Sequence, residues 1–450
     1  MKRRISTAAL MCAFLIGGSA VAIAQEPEAG AAAALKGGKH SKVHKAWPHK
    51  KDGKKPHKYL ARKLAKQIGP IKLRKTRNAA AVSARASHAR EKEATPTAPG
   101  VVGTDGAAVA NKLLLVRSFD IPTDDRLYAD LSNYSWTYDN ALATIAFVAD
   151  NDKAQARQLL DQLALLQNSN GSFNFAFDVA SGARSEVVRS GAVAWIGLAA
   201  TAFAEKYDDK TYDSMIAGTL NYLLAQRNGD GLVKGGPDVS WVSTQHNLLT
   251  SDLLRQAELL AKHSHKLGTH TATSLAAART SLDTAITGKL LVSGSSSAYF
   301  REGQNDNRVP IDVQALGTMY LQSHDDNRTG YVAATIFNPA FYVASRTTTA
   351  ATTKVSGLKP FLDTGSPDLI WTEGTIEAQF AMTRLGLPNT YLGTAVQSLA
   401  ATKKANTVGP IGADRTSDTT WGQYRTWPTS AAASWLLMLE LEKDVALFAD

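Results

Sequence analysis

Two kinds of helical pattern alternate along this chain, and that alternation constrains its fold more than any other feature. Asp152–Gln167 reads DKAQARQLLDQLALLQ, with Ala156, Leu159, Leu160, Leu163 and Leu166 on a single apolar stripe. Ser190–Phe203 reads SGAVAWIGLAATAF and is apolar on nearly every face. A helix of the first kind covers a core, whereas one of the second kind must be surrounded by protein.

The alternation repeats. Nearly all-apolar stretches begin just after Tyr138, Val188, Gln245, Ile311, Thr372 and Thr429, at intervals of roughly 50 to 66 residues. Each interval accommodates two helices and their loops. The outer members end in Gln167-Asn168-Ser169-Asn170-Gly171 and Gln226-Arg227-Asn228-Gly229, whose Asn and Gly suit left-handed helix stops. No run of alternating strand pattern competes with this reading. Six hairpins whose inner helices are apolar all round predict an all-α fold, an (α/α)6 toroid over residues 111–450. An open solenoid of hairpins is the alternative, but it would leave one side of the inner helices exposed.

The first 110 residues differ. Lys2, Arg3 and Arg4 precede an apolar run from about Ala8 to Ile23, and Ala22-Ile23-Ala24 offers a small-x-small cleavage site before Gln25. This predicts a signal peptide over 1–24 and an exported chain, periplasmic or secreted. The sole cysteine, Cys12, lies inside that segment, so the mature chain has neither disulfides nor thiolate metal sites. Residues 25–110 hold 19 Lys or Arg against 6 Asp or Glu, whereas 111–450 hold 28 against 34. With His40, His44, His49 and His57 interleaved and apolar residues sparse, 25–110 reads as a solvated, disordered Lys/His-rich linker. Its excess charge also suits contact with anionic envelope polymers. Export argues against a nucleic-acid partner, no further stretch is long enough to span a membrane, and a monomer is expected.

Chemistry concentrates in the segments preceding the inner helices. In a toroid these helices run parallel, so their N-termini gather at one mouth. Trp136, Tyr138 and Asp139 lead the first helix; Glu186 and Arg189 the second; Asp238, Trp241, Gln245, His246 and Asn247 the third. Asp312 leads the fourth, Trp371 and Glu373 the fifth, Trp421 and Trp427 the sixth. Aromatic rings stack on the apolar faces of sugars, and carboxylates bond the hydroxyls between them. Residue by residue, ordinary capping competes with this reading, since Ser, Thr and Asp are good N-caps and acids suit a first turn. The sixfold recurrence favours a site, with a polysaccharide or oligosaccharide as its partner. No phosphate loop, nucleophile elbow or metal cluster is evident, and no cofactor or metal is expected.

TYDNALATIAF (137–147), WVSTQHN (241–247), IDVQALG (311–317) and WTEGTIEAQFAM (371–382) resemble segments of secreted bacterial members of the six-hairpin glycosidase-like superfamily. The resemblance covers roughly 115–446. It implies an (α/α)6 barrel with a carbohydrate cleft and, in many members, glycoside hydrolysis by one carboxylic acid and one carboxylate. Gln245 stands where an acidic residue would be expected before His246. Glu373, flanked by Trp371 and Gly374, suits the general acid, because a neighbouring indole raises a carboxyl pKa. Asp139, in the first turn of the first inner helix, suits an ionised base. A lyase is the competing mechanism, with His246 as base, Asn247, Tyr138 and Arg189 around it, and Arg184, Arg301 and Arg308 to receive a uronate. A noncatalytic sugar-binding toroid and a terpenoid-cyclase-like toroid are further alternatives. The cyclase lacks its aspartate-rich motif here.

Overall fold

A computed structural model describes residues 56–70, 112–349, 353–387, 389–404, 406–419 and 422–449. Thirteen α-helices are present among them. α1 (Pro56–Ala65) and the short α2 (Tyr128–Leu131) precede five hairpins. These are α3 (Thr137–Ala149) with α4 (Lys153–Leu166), α5 (Ser190–Tyr207) with α6 (Asp213–Ala225), and α7 (Thr244–Lys262) with α8 (Ala272–Lys289). α9 (Ile311–Gln322) with α10 (Thr329–Ile336) and α11 (Thr372–Arg384) with α12 (Thr390–Ala400) follow, and α13 (Ser430–Glu440) is last. The first member of each pair, together with α13, forms the inner ring. Each inner helix packs on the next, and α13 packs on α3.

One set of hydrogen bonds shows the closure. The first N–H of each inner helix donates to a loop carbonyl ahead of the next one: Thr137 to Phe175, Ser190 to Gly235, Thr244 to Glu302, Ile311 to Pro360 and Thr372 to Gly412. The sixth, from Ser430 to Ser118 at 2.9 Å, returns to the segment ahead of α3. A second device acts one turn further on. Asn140, Asn247, Gln314 and Thr375 each bond the carbonyl four residues back, at Trp136, Ser243, Pro310 and Trp371, as side-chain donors. The same side chains accept from the N–H groups of Val116, Val233, Phe300 and Leu358. These groups would otherwise be buried without partners, at a cost of about 1–3 kcal/mol each. The loops that carry the mouth are therefore fixed to the inner ring.

The toroid expected from sequence is the fold, and the inner helices start within two residues of their expected positions. The apolar stripe Ala156, Leu159, Leu160, Leu163 and Leu166 is buried against the inner ring, behind an Asp152 N-cap. α3, α5 and α13 are buried almost throughout. α7 departs from the all-apolar pattern. Its Asp252, 2% exposed, accepts from Arg255, from the Gln256 amide and from the N–H of Phe448, which ties the C-terminal segment to the barrel.

Three expectations need correction. First, residues 56–70 fall inside the stretch read as a disordered linker, yet α1 is helical and seated between α13 and α3, with Leu60, Ala61 and Leu64 buried. It packs where an outer helix partnering α13 would lie. Ile68 pairs with Val116, and Gly69 N–H donates to Leu115 O at 2.8 Å. Composition concealed this, because the cationic stems of Lys58, Arg62 and Lys63 surround a short i, i+4 apolar seam. The rest of 25–110, and the signal segment 1–24, lie outside the described residues. Second, four two-stranded antiparallel sheets line the loops: β1 (Tyr134–Trp136) with β2 (Ala176–Asp178), β3 (Leu291–Ser293) with β4 (Ala298–Phe300), β5 (Tyr342–Thr347) with β6 (Lys354–Leu358), and β7 (Ser417–Thr419) with β8 (Gly422–Tyr424). Third, the left-handed glycine after α6 is Gly231 (φ 84°), not Gly229. No helix of the described residues is long and apolar enough to cross a membrane.

Candidate active site at the inner-helix N-termini

The centre of the mouth is a hydrogen-bonded chain that begins in the buried core. Trp195 of α5 and Trp435 of α13 are buried and pack edge to face, with ring centroids 6.0 Å apart. Tyr138 packs on Trp195 at 5.6 Å. The indole Nε1–H of Trp435 donates to the Tyr138 hydroxyl at 3.1 Å. That hydroxyl in turn donates to Oε1 of Glu373, and Glu377 Oε1 lies 3.5 Å from it. Glu373 and Glu377 are four residues apart in α11 and so share one helix face.

More carboxyls face this chain. Burial pushes Glu373 above the ordinary glutamate range, and the charges of Asp139 and Asp312 push it further; the Tyr138 hydrogen bond opposes them. Glu377, 1% exposed, is raised well above its usual value by burial, Asp312 and Glu373. Burial pushes Asp312 up to about 6, although backbone N–H groups and Arg308 favour its ionised form. Gln245 Nε2 donates to Asp312 Oδ2 at 3.1 Å. Glu302 is raised by burial and then by Asp312. Glu373, Asp312 and Glu302 are largely surrounded by protein, yet each residue keeps partial contact with solvent. Tyr424 stands over the same carboxyls, and its ring meets Trp371 edge to face at 6.4 Å. A Cβ on Gly374 would fall 2.5 Å from the Trp371 ring, so glycine there lets the indole lie on the helix.

A second group lies beside it on α5 and α7. Arg189 Nη1 donates to Asp238 at 2.7 Å and the guanidinium sits 5.8 Å from the Trp241 ring. Trp241 is 5.6 Å from His246. His246 packs where a Cβ on Gly191 would be, 2.3 Å away. Burial, and secondarily Arg189, lower its pKa to about 3, so its imidazole is neutral. Its Nδ1 has no hydrogen-bond partner. Arg308, whose charge acts on Glu302 and Asp312, is held by both oxygens of Asp306.

Several of the residues expected at the mouth serve structure instead. Asn247 is fully buried, with its amide spent on Val233 and Ser243. Trp427 is 4% exposed; it packs on Phe119 at 5.6 Å and donates Nε1–H to Asp125. Trp136 packs on Phe119 from the other side, at 5.0 Å. These two indoles seal the seam between the first and last inner helices, which leaves the Trp427 ring no face for a ligand. Glu186 is exposed on the loop before α5. Asp139 is 2% exposed, bonded by Ser118, and raised by burial to about 7; desolvation outweighs the helix dipole that was expected to keep it ionised. Trp421 lies outside the described residues. Sequence reasoning passed over Glu302, Glu377, Tyr424 and Trp435. Of these, Glu377 carried a signal, its i+4 spacing from Glu373. No group of three or more His, Cys, Asp or Glu among the described residues could hold a metal ion.

No family model matches the sequence, and no curated protein matches it. In structure the chain is similar to a glycosidase solved as a point variant, with a TM-score of 0.53 at 13% identity over 88% of this chain and 100% of that one. A glycosidase variant in complex with glucose matches at 0.52 and 12% identity, over 88% and 100%. A D-mannose isomerase matches at 0.51 and 14% identity, over 77% of this chain and 94% of that one. What is shared is the fold. At these identities the likeness extends to the helical toroid and no further.

Proposed function

We propose that this protein is a glycoside hydrolase that cleaves a polysaccharide held across the inner-helix N-termini, with Glu373 as general acid. The observation that carries the reading is the placement of Glu373. It is a carboxyl kept protonated by burial and neighbouring acids, still reached by solvent, and contacted by a phenol hydroxyl that stabilises the carboxylate left after proton transfer. Asp312, rather than the buried Asp139, is the base that activates water. It keeps partial exposure, ionises near pH 6, and is oriented by Gln245. Trp371 and Trp241, both half-buried, supply the rings on which sugars stack. Structural neighbours that bear the name glycosidase, one of them holding glucose, support the substrate class.

The charge of the floor favours hydrolysis over elimination. A lyase must receive a uronate, yet two of the four arginines expected to receive it, Arg189 and Arg308, are paired with Asp238 and Asp306, and the floor itself is acidic. A purely binding role gives no reason to hold several carboxyls in one desolvated cluster, which is unfavourable. The protein acts outside the cytoplasm as a monomer, after removal of residues 1–24, and its basic N-terminal stretch contacts anionic envelope polymers.

The test is incubation of the purified protein with a panel of neutral and acidic polysaccharides, followed by product sizing and ultraviolet absorbance. Chain shortening without a new absorbing double bond is expected. Shortening with that absorbance would make it a lyase, and binding without shortening a noncatalytic module.

A further inference from the structure

The atoms around Tyr138 can be assigned hydrogens by counting. A phenol has one hydrogen to donate and two lone pairs with which to accept. An indole N–H only donates, so Trp435 Nε1 at 3.1 Å occupies one lone pair of the Tyr138 oxygen. The single phenol hydrogen goes to Glu373 Oε1, the shorter of its two carboxyl contacts. Glu377 Oε1, 3.5 Å from the same oxygen, is then left with no hydrogen to accept. Its other oxygen, Oε2, is buried with no partner at all, and the residue is 1% exposed. No salt bridge reaches Glu377 from any described residue, and the charged groups that face it are carboxyls, Asp312 and Glu373. An ionised Glu377 would be a buried charge with neither a cation nor a donor. A protonated Glu377 has a hydrogen to give, and the second lone pair of Tyr138 is there to take it.

The geometry points to Glu377 as a resident carboxylic acid. It stays protonated through the working cycle and, with Trp435, fixes the Tyr138 hydroxyl so that its hydrogen faces Glu373. Glu377 is a positioning residue and acts through Tyr138. This goes beyond the glycosidase reading but rests on its assignment of Glu373. The arrangement gives Trp435 a purpose at the centre of the barrel: both donors to the phenol oxygen leave its own hydrogen one direction, toward the carboxylate that forms when Glu373 gives up its proton. Ionisation of Glu377 would place a second negative charge beside that carboxylate and oppose its formation.

The state of Glu377 is tested without substrate, by infrared difference spectroscopy of the full chain. The carboxylic-acid carbonyl band is recorded at alkaline pH for the parent, Glu377→Gln and Tyr138→Phe, with circular dichroism as the folding control. The parent is expected to show a protonated-carboxyl band that Glu377→Gln removes. Tyr138→Phe should shift that band, because it takes away the acceptor of the Glu377 hydrogen. This second variant decides the matter if Glu377→Gln does not fold. A parent spectrum identical to that of Glu377→Gln, or a band unmoved by Tyr138→Phe, overturns the assignment.

If the chain proves to be a hydrolase, the pH profile gives a second readout. Tyr138→Phe removes a donor to the Glu373 carboxylate and should move the alkaline limb of kcat/KM up by about one to two pH units. Glu377→Gln, neutral like the acid it replaces, should leave that limb in place. A downward shift in Glu377→Gln would mean that a negative charge had been removed, and would overturn the proposal. The two readings fail separately. Absence of polysaccharide cleavage overturns the hydrolase and leaves the infrared band standing, whereas absence of the band overturns the role of Glu377 and leaves the hydrolase.

Discussion

Leu64→Ala in α1 asks whether the barrel depends on a helix that precedes it in the chain and is separated from it by residues 71–111. Leu64 is fully buried and Leu60 is 1% exposed, both in the groove between the last and first inner helices. Truncating one such leucine removes its transfer free energy and leaves a cavity that the rigid inner helices cannot fill, typically a loss of about 2–5 kcal/mol. That is a large fraction of the roughly 5–15 kcal/mol by which folded domains are stable. Leu165→Ser, on outer helix α4 with a residue 64% exposed, is the control, and should stay within about 0.5 kcal/mol of the parent. Urea unfolding followed by circular dichroism measures both variants, with an unchanged slope confirming that the same structure unfolds. Leu60→Ala should behave as Leu64→Ala does. An unfolding midpoint for Leu64→Ala equal to that of the parent would refute the reasoning and return residues 56–70 to the role of a linker.

Two more outcomes follow from the site. The acid must hold its proton and the base must have lost its own, so kcat/KM on a cleaved polysaccharide should fall as pH drops through about 6, where Asp312 protonates, and fall again above neutral pH as Glu373 ionises; a profile flat across that window contradicts the pair. His246 should remain neutral down to about pH 3, and its imidazole proton resonances should show no titration near the ordinary 6.5. Because its folded-state pKa lies below its unfolded value, this histidine contributes stability above pH 6.5 that is lost as pH falls from there towards about 3. A normal titration curve would mean that water and a counter-ion reach the ring.

The inner helices were legible because burial on every face leaves a sequence no option but apolar residues, as in Ser190–Phe203. Their parallel arrangement made the mouth legible too, since it follows from topology alone. The hydroxyls of Thr137, Thr244 and Ser430 bond carbonyls of the neighbouring loop, and this Ser/Thr recurrence at helix starts is a signature that reads as ordinary capping from sequence. Direction was harder to read. Trp136, Trp427 and Asn247 occupy mouth segments, but their side chains turn into the seam or onto the backbone, which no spacing reveals. Asp139 misled for an energetic reason: the helix dipole acts on it as expected, but desolvation is larger. α1 was hidden because a ten-residue helix buried along one narrow seam needs only Leu60, Ala61 and Leu64, and its charges dominate the composition. Glu302 and Tyr424 reach the floor through loop packing, a long-range property without a local pattern.

The most direct measurement compares Glu373→Gln with the parent on a polysaccharide that the parent shortens. The amide keeps the size of the side chain and can still accept from Tyr138, but it has no proton to donate to a glycosidic oxygen. Loss of the general acid should lower kcat by about 10²–10⁴-fold, with substrate binding and the unfolding midpoint close to those of the parent. Full turnover by Glu373→Gln would contradict the account.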